Sequence, residues 1–146
     1  MSSKNDRIRR PKTPTGFFNL KLIEFFEQIQ SLFPEERDIQ MALEALEGAA
    51  AINPKLVLDL FYENVYKEAH EFIQNEKEEE IIALARLKIN TQFNEVSPAL
   101  SLFDKKWDLL DDPTRETIWK WLKVLCVLCD KAVSYTHLTL PTKRIV

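Results

Sequence analysis

The sequence predicts an all-α fold, a single-domain bundle of five or six antiparallel helices. Three observations point to it. Leu, Ile, Val and Phe together supply 46 of the 146 residues, well above the roughly 20% below which disorder is expected. Two Gly and seven Pro are about half of what ordinary usage would give, so a turn-rich β-sandwich or a glycine-loop nucleotide fold has little to be built from. Apolar residues recur with a helical period along most of the chain, and the pairs Asn53-Pro54, Ser97-Pro98 and Asp112-Pro113 punctuate it as helix starts.

The first helix follows Thr15 and runs from Phe17 to Phe33, where Phe18, Leu22, Phe25, Phe26, Ile29 and Leu32 form one stripe and Pro34 stops it. The second spans about 35–50. Its acidic first turn (Glu35, Glu36, Asp38) suits the positive end of the helix dipole, and Ile39, Leu43, Leu46 and Ala50 continue inward. Gly48 and the alanines at 49–51 would allow a neighbouring backbone to approach closely, or serve simply as helix formers. Asn53-Pro54 opens a third helix to about residue 74 through Val57, Leu60, Phe61, Val65, Ala69, Phe72 and Ile73. Asn75 and Glu78 resemble a capping box, so a fourth helix over 76–90 with Ile82, Ala85 and Ile89 inward is expected, either separate from the third or continuous with it. Ser97-Pro98 opens a fifth with Leu100, Phe103, Trp107 and Leu110, and Asp112-Pro113 a sixth with Ile118, Leu122, Leu125, Cys129 and Ala132.

Both ends differ from this body. Residues 1–12 carry Lys4, Arg7, Arg9, Arg10 and Lys12 against a single acid, Asp6, whereas residues 13–132 are strongly acidic. The expected organisation is a disordered basic arm over 1–15, a helical domain over 16–132, and a tail of different composition over 133–146. That tail, Val-Ser-Tyr-Thr-His-Leu-Thr-Leu-Pro-Thr-Lys-Arg-Ile-Val, resembles the translation of a transposon-end sequencing adaptor. It is expected to be an artefact lying outside the bundle as an extended or disordered segment, with strand favoured over helix.

Chemistry-bearing motifs are few. Cys126 and Cys129 form a CxxC deep inside the sixth helix rather than at its N-terminus, where a thiolate would be stabilised, so they read as core cysteines. His70 has Glu63, Glu68 and Glu71 nearby, but Lys67 stands where a Glu-x-x-His di-metal motif needs its carboxylate. The acidic run Glu76 to Glu80 (with Lys77) reads as the solvated first turn of a helix. No metal, cofactor or catalytic set is expected. Trp119 and Trp121 project about 200° apart on the sixth helix. One of them is therefore expected at an interface, together with Val124 and Val127, which widen the apolar stripe.

The strings Leu32-Phe33-Pro34-Glu35, Ile52 to Phe61 (Ile-Asn-Pro-Lys-Leu-Val-Leu-Asp-Leu-Phe) and Trp119 to Cys126 (Trp-Lys-Trp-Leu-Lys-Val-Leu-Cys) resemble segments of a family of small, uncharacterised helical proteins of large DNA viruses of algae and protists, over about residues 17–132. The resemblance implies a viral or metagenomic source and carries no activity and no catalytic residue. The functional expectation is a non-enzymatic helical protein-interaction module, with a protein partner or a homo-oligomer. The alternative is a nucleic-acid-associated protein whose arm (Lys4, Arg7, Arg9, Arg10, Lys12) contacts phosphates. With no signal-peptide-like leader and no apolar run long enough to cross a bilayer, the expected location is intracellular: host cytoplasm, nucleus or virion.

Overall fold

The computed structural model describes residues 11–91 and 102–145. They form an all-α single-domain bundle: α1 (Pro14–Leu32), α2 (Arg37–Ile52), α3 (Pro54–Phe61), a π-helical turn (Tyr62–Tyr66), α4 (Lys67–Gln74), α5 (Glu78–Thr91), a second π turn (Leu102–Lys106), a 3-10 turn (Trp107–Leu109) and α6 (Asp112–Ile145). The start of the expected fifth helix, at Ser97-Pro98, lies outside the described residues, as does most of the expected arm.

Local chemistry sets each boundary. Thr13, not Thr15, caps α1: its hydroxyl accepts from the Gly16 N–H at 3.0 Å, and Pro14 takes the first helical position, where no N–H is needed. At the other end the Phe33 N–H donates to the Ile29 and Gln30 carbonyls before Pro34 ends the pattern. Asp111 caps α6 by accepting from the Thr114 N–H at 3.0 Å, which places the Asp112-Pro113 pair just inside the helix.

α3, the π turn and α4 form one uninterrupted rod. Phe61, Val65, Ala69 and Ile73 are spaced by four throughout, and at about 100° per residue this spacing would swing the apolar stripe by about 120° around a straight α-helix. The π turn takes up one residue's rotation, with the Lys67 N–H reaching back to the Tyr62 carbonyl, so Phe61, Ala69 and Ile73 all stay buried. α4 then ends and α5 starts separately. Glu76 adopts φ 51°, its N–H donates to the Ile73 carbonyl, and the Lys77 N–H donates to the Phe72 carbonyl at 2.8 Å. That is the 6→1 and 5→2 pattern of a left-handed helix cap. Asn75 accordingly closes α4, its amide donating to the Glu71 carbonyl, instead of forming a capping box for α5.

α1 runs through the centre of the bundle and packs against α6, α2 and α3. Phe18 is fully buried and meets Phe61 edge-on at 5.0 Å, and the Asn19 amide donates to the Pro54 carbonyl, tying α1 to the start of α3. The expected α-helix through Phe103 and Leu110 is replaced by the short π and 3-10 turns. Leu110 is extended (ψ 144°) so that Asp111 can cap α6, and helix therefore cannot run through Leu110. The segment is held by side chains: Arg115 donates through Nε and Nη2 to the Trp107 carbonyl (3.2 and 3.0 Å) with its guanidinium over the Trp107 ring, Arg86 pairs with Asp104, and Lys106 with Glu36.

Two further expectations are corrected. Gly48 has open space where a Cβ would stand, so no backbone approaches it. Residues 133–145 continue α6 as helix rather than forming a strand or an irregular tail, and Val133 packs against the core. Extending a helix that already exists adds one hydrogen bond per residue fixed, whereas a lone strand has no partner, so context outweighs the β preference of Val and Thr.

A candidate binding cavity in the bundle core

A cavity of about 230 Å³ lies inside the bundle. α1 lines it with Leu22, Phe25, Phe26 and Ile29, and α6 with Leu122 and Leu125. The α3 rod contributes Val57, Leu60, Phe61, Val65, Ala69 and Ile73, while α2 and α5 close the remaining sides with Ile39, Leu46, Ile81 and Leu84. The space exists because Ala42, Ala45, Ala49, Ala69 and Ala85 face it, and their methyl groups stop short of the opposite wall. α2 and α5 both line it, and its lining includes the exposed Ala45 of α2 and Leu56 of α3, where the cavity meets the surface.

Among the described residues, two polar side chains line this wall. Asn64, in the π turn, donates through Nδ2 to the Leu60 carbonyl at 2.9 Å. Lys88 is 8% exposed and its ammonium pairs with Glu68, a half-exposed carboxylate that does not line the cavity. The ammonium therefore stands at the boundary between the apolar interior and the rim. Of the residues the sequence places inward, Ala85 is buried, Ile82 is half-buried against the core and the side chain of Ile89 lies outside the described residues, but Lys88 was not among them. Among the described side chains of α5, Ile81, Ala85 and Lys88 are buried, spaced by four and three, so the signal was a lysine on the apolar stripe.

The residues singled out from the sequence fall elsewhere. Trp119 is 6% exposed and meets Trp107 edge-on at 5.4 Å, and Trp121 is half-buried with its ring 5.9 Å from that of Phe25. The two rings do point to opposite sides of α6, but the 3-10 turn covers one side and α1 the other, so Trp119 is a core residue and not an interface residue. Val124 and Val127 are exposed. Lys12 is exposed, and Lys4, Arg7, Arg9 and Arg10 lie outside the described residues.

Cys126 and Cys129 are buried, and burial pushes each thiol up to about 12, the opposite of what a thiolate nucleophile requires. The His70 ring stacks on Tyr66 at 4.6 Å and its Nδ1 lies 2.8 Å from the Tyr66 carbonyl, which can only accept, so Nδ1 carries the proton. Tyr66 stacks in turn on Tyr62 and donates to Asp130 at 3.3 Å; burial first, and that carboxylate second, raise its pKa. Among the described residues no cluster of three His, Cys, Asp or Glu is placed to hold a metal ion, and no helix is long and apolar enough to cross a membrane. Comparison with protein-family models, curated proteins and solved structures finds no match to this chain.

Proposed function

We propose that the protein is a non-enzymatic helical interaction module, and that the element that binds is the core cavity. The observation that carries this reading is the combination of a space of about 230 Å³ with a wall of hydrocarbon. A cavity of about 150 Å³ with such a lining is large enough to hold a benzene molecule and stays dry when empty, so this one favours an apolar group over water. Its polar neighbours, Asn64 and Lys88, already have partners and form no nucleophile with an adjacent base, which favours binding over catalysis.

The test is a titration of the full chain with 1-decanol below its solubility limit, followed by calorimetry and by thermal unfolding. Saturable binding of one molecule with a concentration-dependent rise in Tm is expected, and its weakening in Ala85→Leu, whose three added carbon atoms occupy part of the cavity from α5, would locate the site. Absence of binding to the folded wild-type chain refutes the reading.

A second reading rests on α6, where the apolar Val124 and Val127 are 45% and 52% exposed, three residues apart on the same helix. A second copy of the chain seated on this stripe would make the protein a homo-oligomer, and Val124→Lys with Val127→Lys should then leave a monomer by light scattering. Nucleic-acid association through the basic arm is the remaining alternative; it predicts binding that is lost on deleting residues 1–12. The intracellular and viral setting implied by the sequence belongs to this same proposal.

A further inference from the structure

The cavity does not end in hydrocarbon on every side, and its one cation defines the chemistry of what fits. Lys88 extends from α5 into the wall with only a tenth of its side chain exposed, although lysine is among the residues least often buried. An ammonium held in such surroundings needs anionic or hydrogen-bonding partners to offset its lost hydration. Glu68 supplies one from the rim, but it is 44% exposed and outside the cavity, and an ammonium has three N–H donors to place. Lys88 is itself one of the residues that line the apolar space.

We infer that the cavity takes a single-chain amphiphile with a carboxylate head, its tail among Phe26, Ala42, Ala69 and Ala85 and its head on the Lys88 ammonium beside Glu68. This rests on the cavity being the binding element. The size of the tail follows from the volume: scaled from a cavity of about 150 Å³ that holds six-carbon benzene, the space accommodates roughly nine carbon atoms. A medium-length fatty carboxylate such as decanoate matches it. The head group then sits at the Lys88–Glu68 pair, where the 44% exposure of Glu68 keeps it in contact with water while the chain is buried. Lys88 selects the head and the alanines set the length.

The experiment compares decanoate, below its micellar concentration, with 1-decanol, which has the same chain and no charge, by calorimetry on the full chain. Decanoate should bind about tenfold or more tightly than decanol, the gain expected of a charge-assisted hydrogen bond. Lys88→Met should abolish that preference while leaving decanol binding in place, which also shows that the variant is folded, and Lys88→Arg should retain most of it. Equal affinities of decanoate and decanol, or a preference that survives Lys88→Met, would overturn the carboxylate assignment and leave the apolar cavity standing. Failure of both ligands to bind would overturn the cavity reading itself.

Discussion

Replacing Ala85 with Leu adds three carbon atoms to a buried position that faces empty space, so the substitution should stabilise the fold. At about 0.8 kcal/mol for each buried methylene equivalent the gain is about 2.4 kcal/mol, and fixing the leucine rotamer costs about 0.5–1 kcal/mol. The net expectation is close to 1.5 kcal/mol, or about 5 °C in Tm for a chain of this length. Equilibrium urea unfolding followed by circular dichroism measures it, and the midpoint should rise with an unchanged slope, because the surface exposed on unfolding hardly changes. A filled core behaves in the opposite way, since forcing extra methylenes into it costs about 1–3 kcal/mol. The two cases differ in sign. A midpoint that falls would show that the side chains around Ala85 already close the space, and would remove the basis for any ligand there.

Gly48→Ala should stabilise the protein by about 0.5–1 kcal/mol, because Gly48 is inside α2, its Cβ would meet nothing within 4 Å, and alanine loses less backbone entropy on folding; an unchanged or lower urea midpoint would contradict this. Glu76→Gly should relieve about 1 kcal/mol of left-handed backbone strain but lose a half-exposed pair with Lys123 (2.7 Å) worth under about 1 kcal/mol, so the full gain should emerge only when the substitution is made in Lys123→Ala. The buried thiols give a pH dependence: Cys126 and Cys129 stay protonated in the fold up to about 12, while in the unfolded chain they lose their protons from about 8.5 upward. The unfolded state thus binds fewer protons across that window and stability falls as pH rises, by at most about 1.4 kcal/mol per pH unit for each thiol. Urea midpoints at pH 9 and 10 should therefore drop more steeply in wild type than in the double variant Cys126→Ala, Cys129→Ala; equal slopes would show that the thiols ionise alike in both states.

The fold was legible where a stripe and a boundary signal agreed. Pro34, Asn53-Pro54 and Asp112-Pro113 mark helix limits to within a few residues, and the core of α6 at Ile118, Leu122, Leu125, Cys129 and Ala132 is the stripe read from spacing. The departures share a cause, which is that local preference was read without its neighbours. Asn75 and Glu78 have capping-box spacing, but Glu76 accepts a left-handed conformation and turns Asn75 into the end of α4. Leu110 continues an apolar spacing but is extended because Asp111 is needed to cap α6. Residues 133–145 have a strand composition and still prolong a helix that α6 has already nucleated.

The candidate site was less legible, because a cavity is defined by what side chains fail to fill and a sequence records only what they are. The five alanines that make the space are spread over α2, α4 and α5, and each taken singly is an ordinary helix former. The π turn left a trace, since Phe61, Val65, Ala69 and Ile73 repeat by four without the three-residue step that an α-helical stripe needs. Such turns occur often at functional sites, and this one lines the cavity with Asn64 and Val65, opposite α1. Lys88 was the clearest missed signal. A lysine at the third position of the stripe Ile81, Ala85, Lys88 either breaks the helix face or answers a charge, and the half-exposed Glu68 meets that demand from the rim. The place of Lys88 among the residues lining an apolar space that α1 through α6 all border is the observation on which the proposed carboxylate ligand rests.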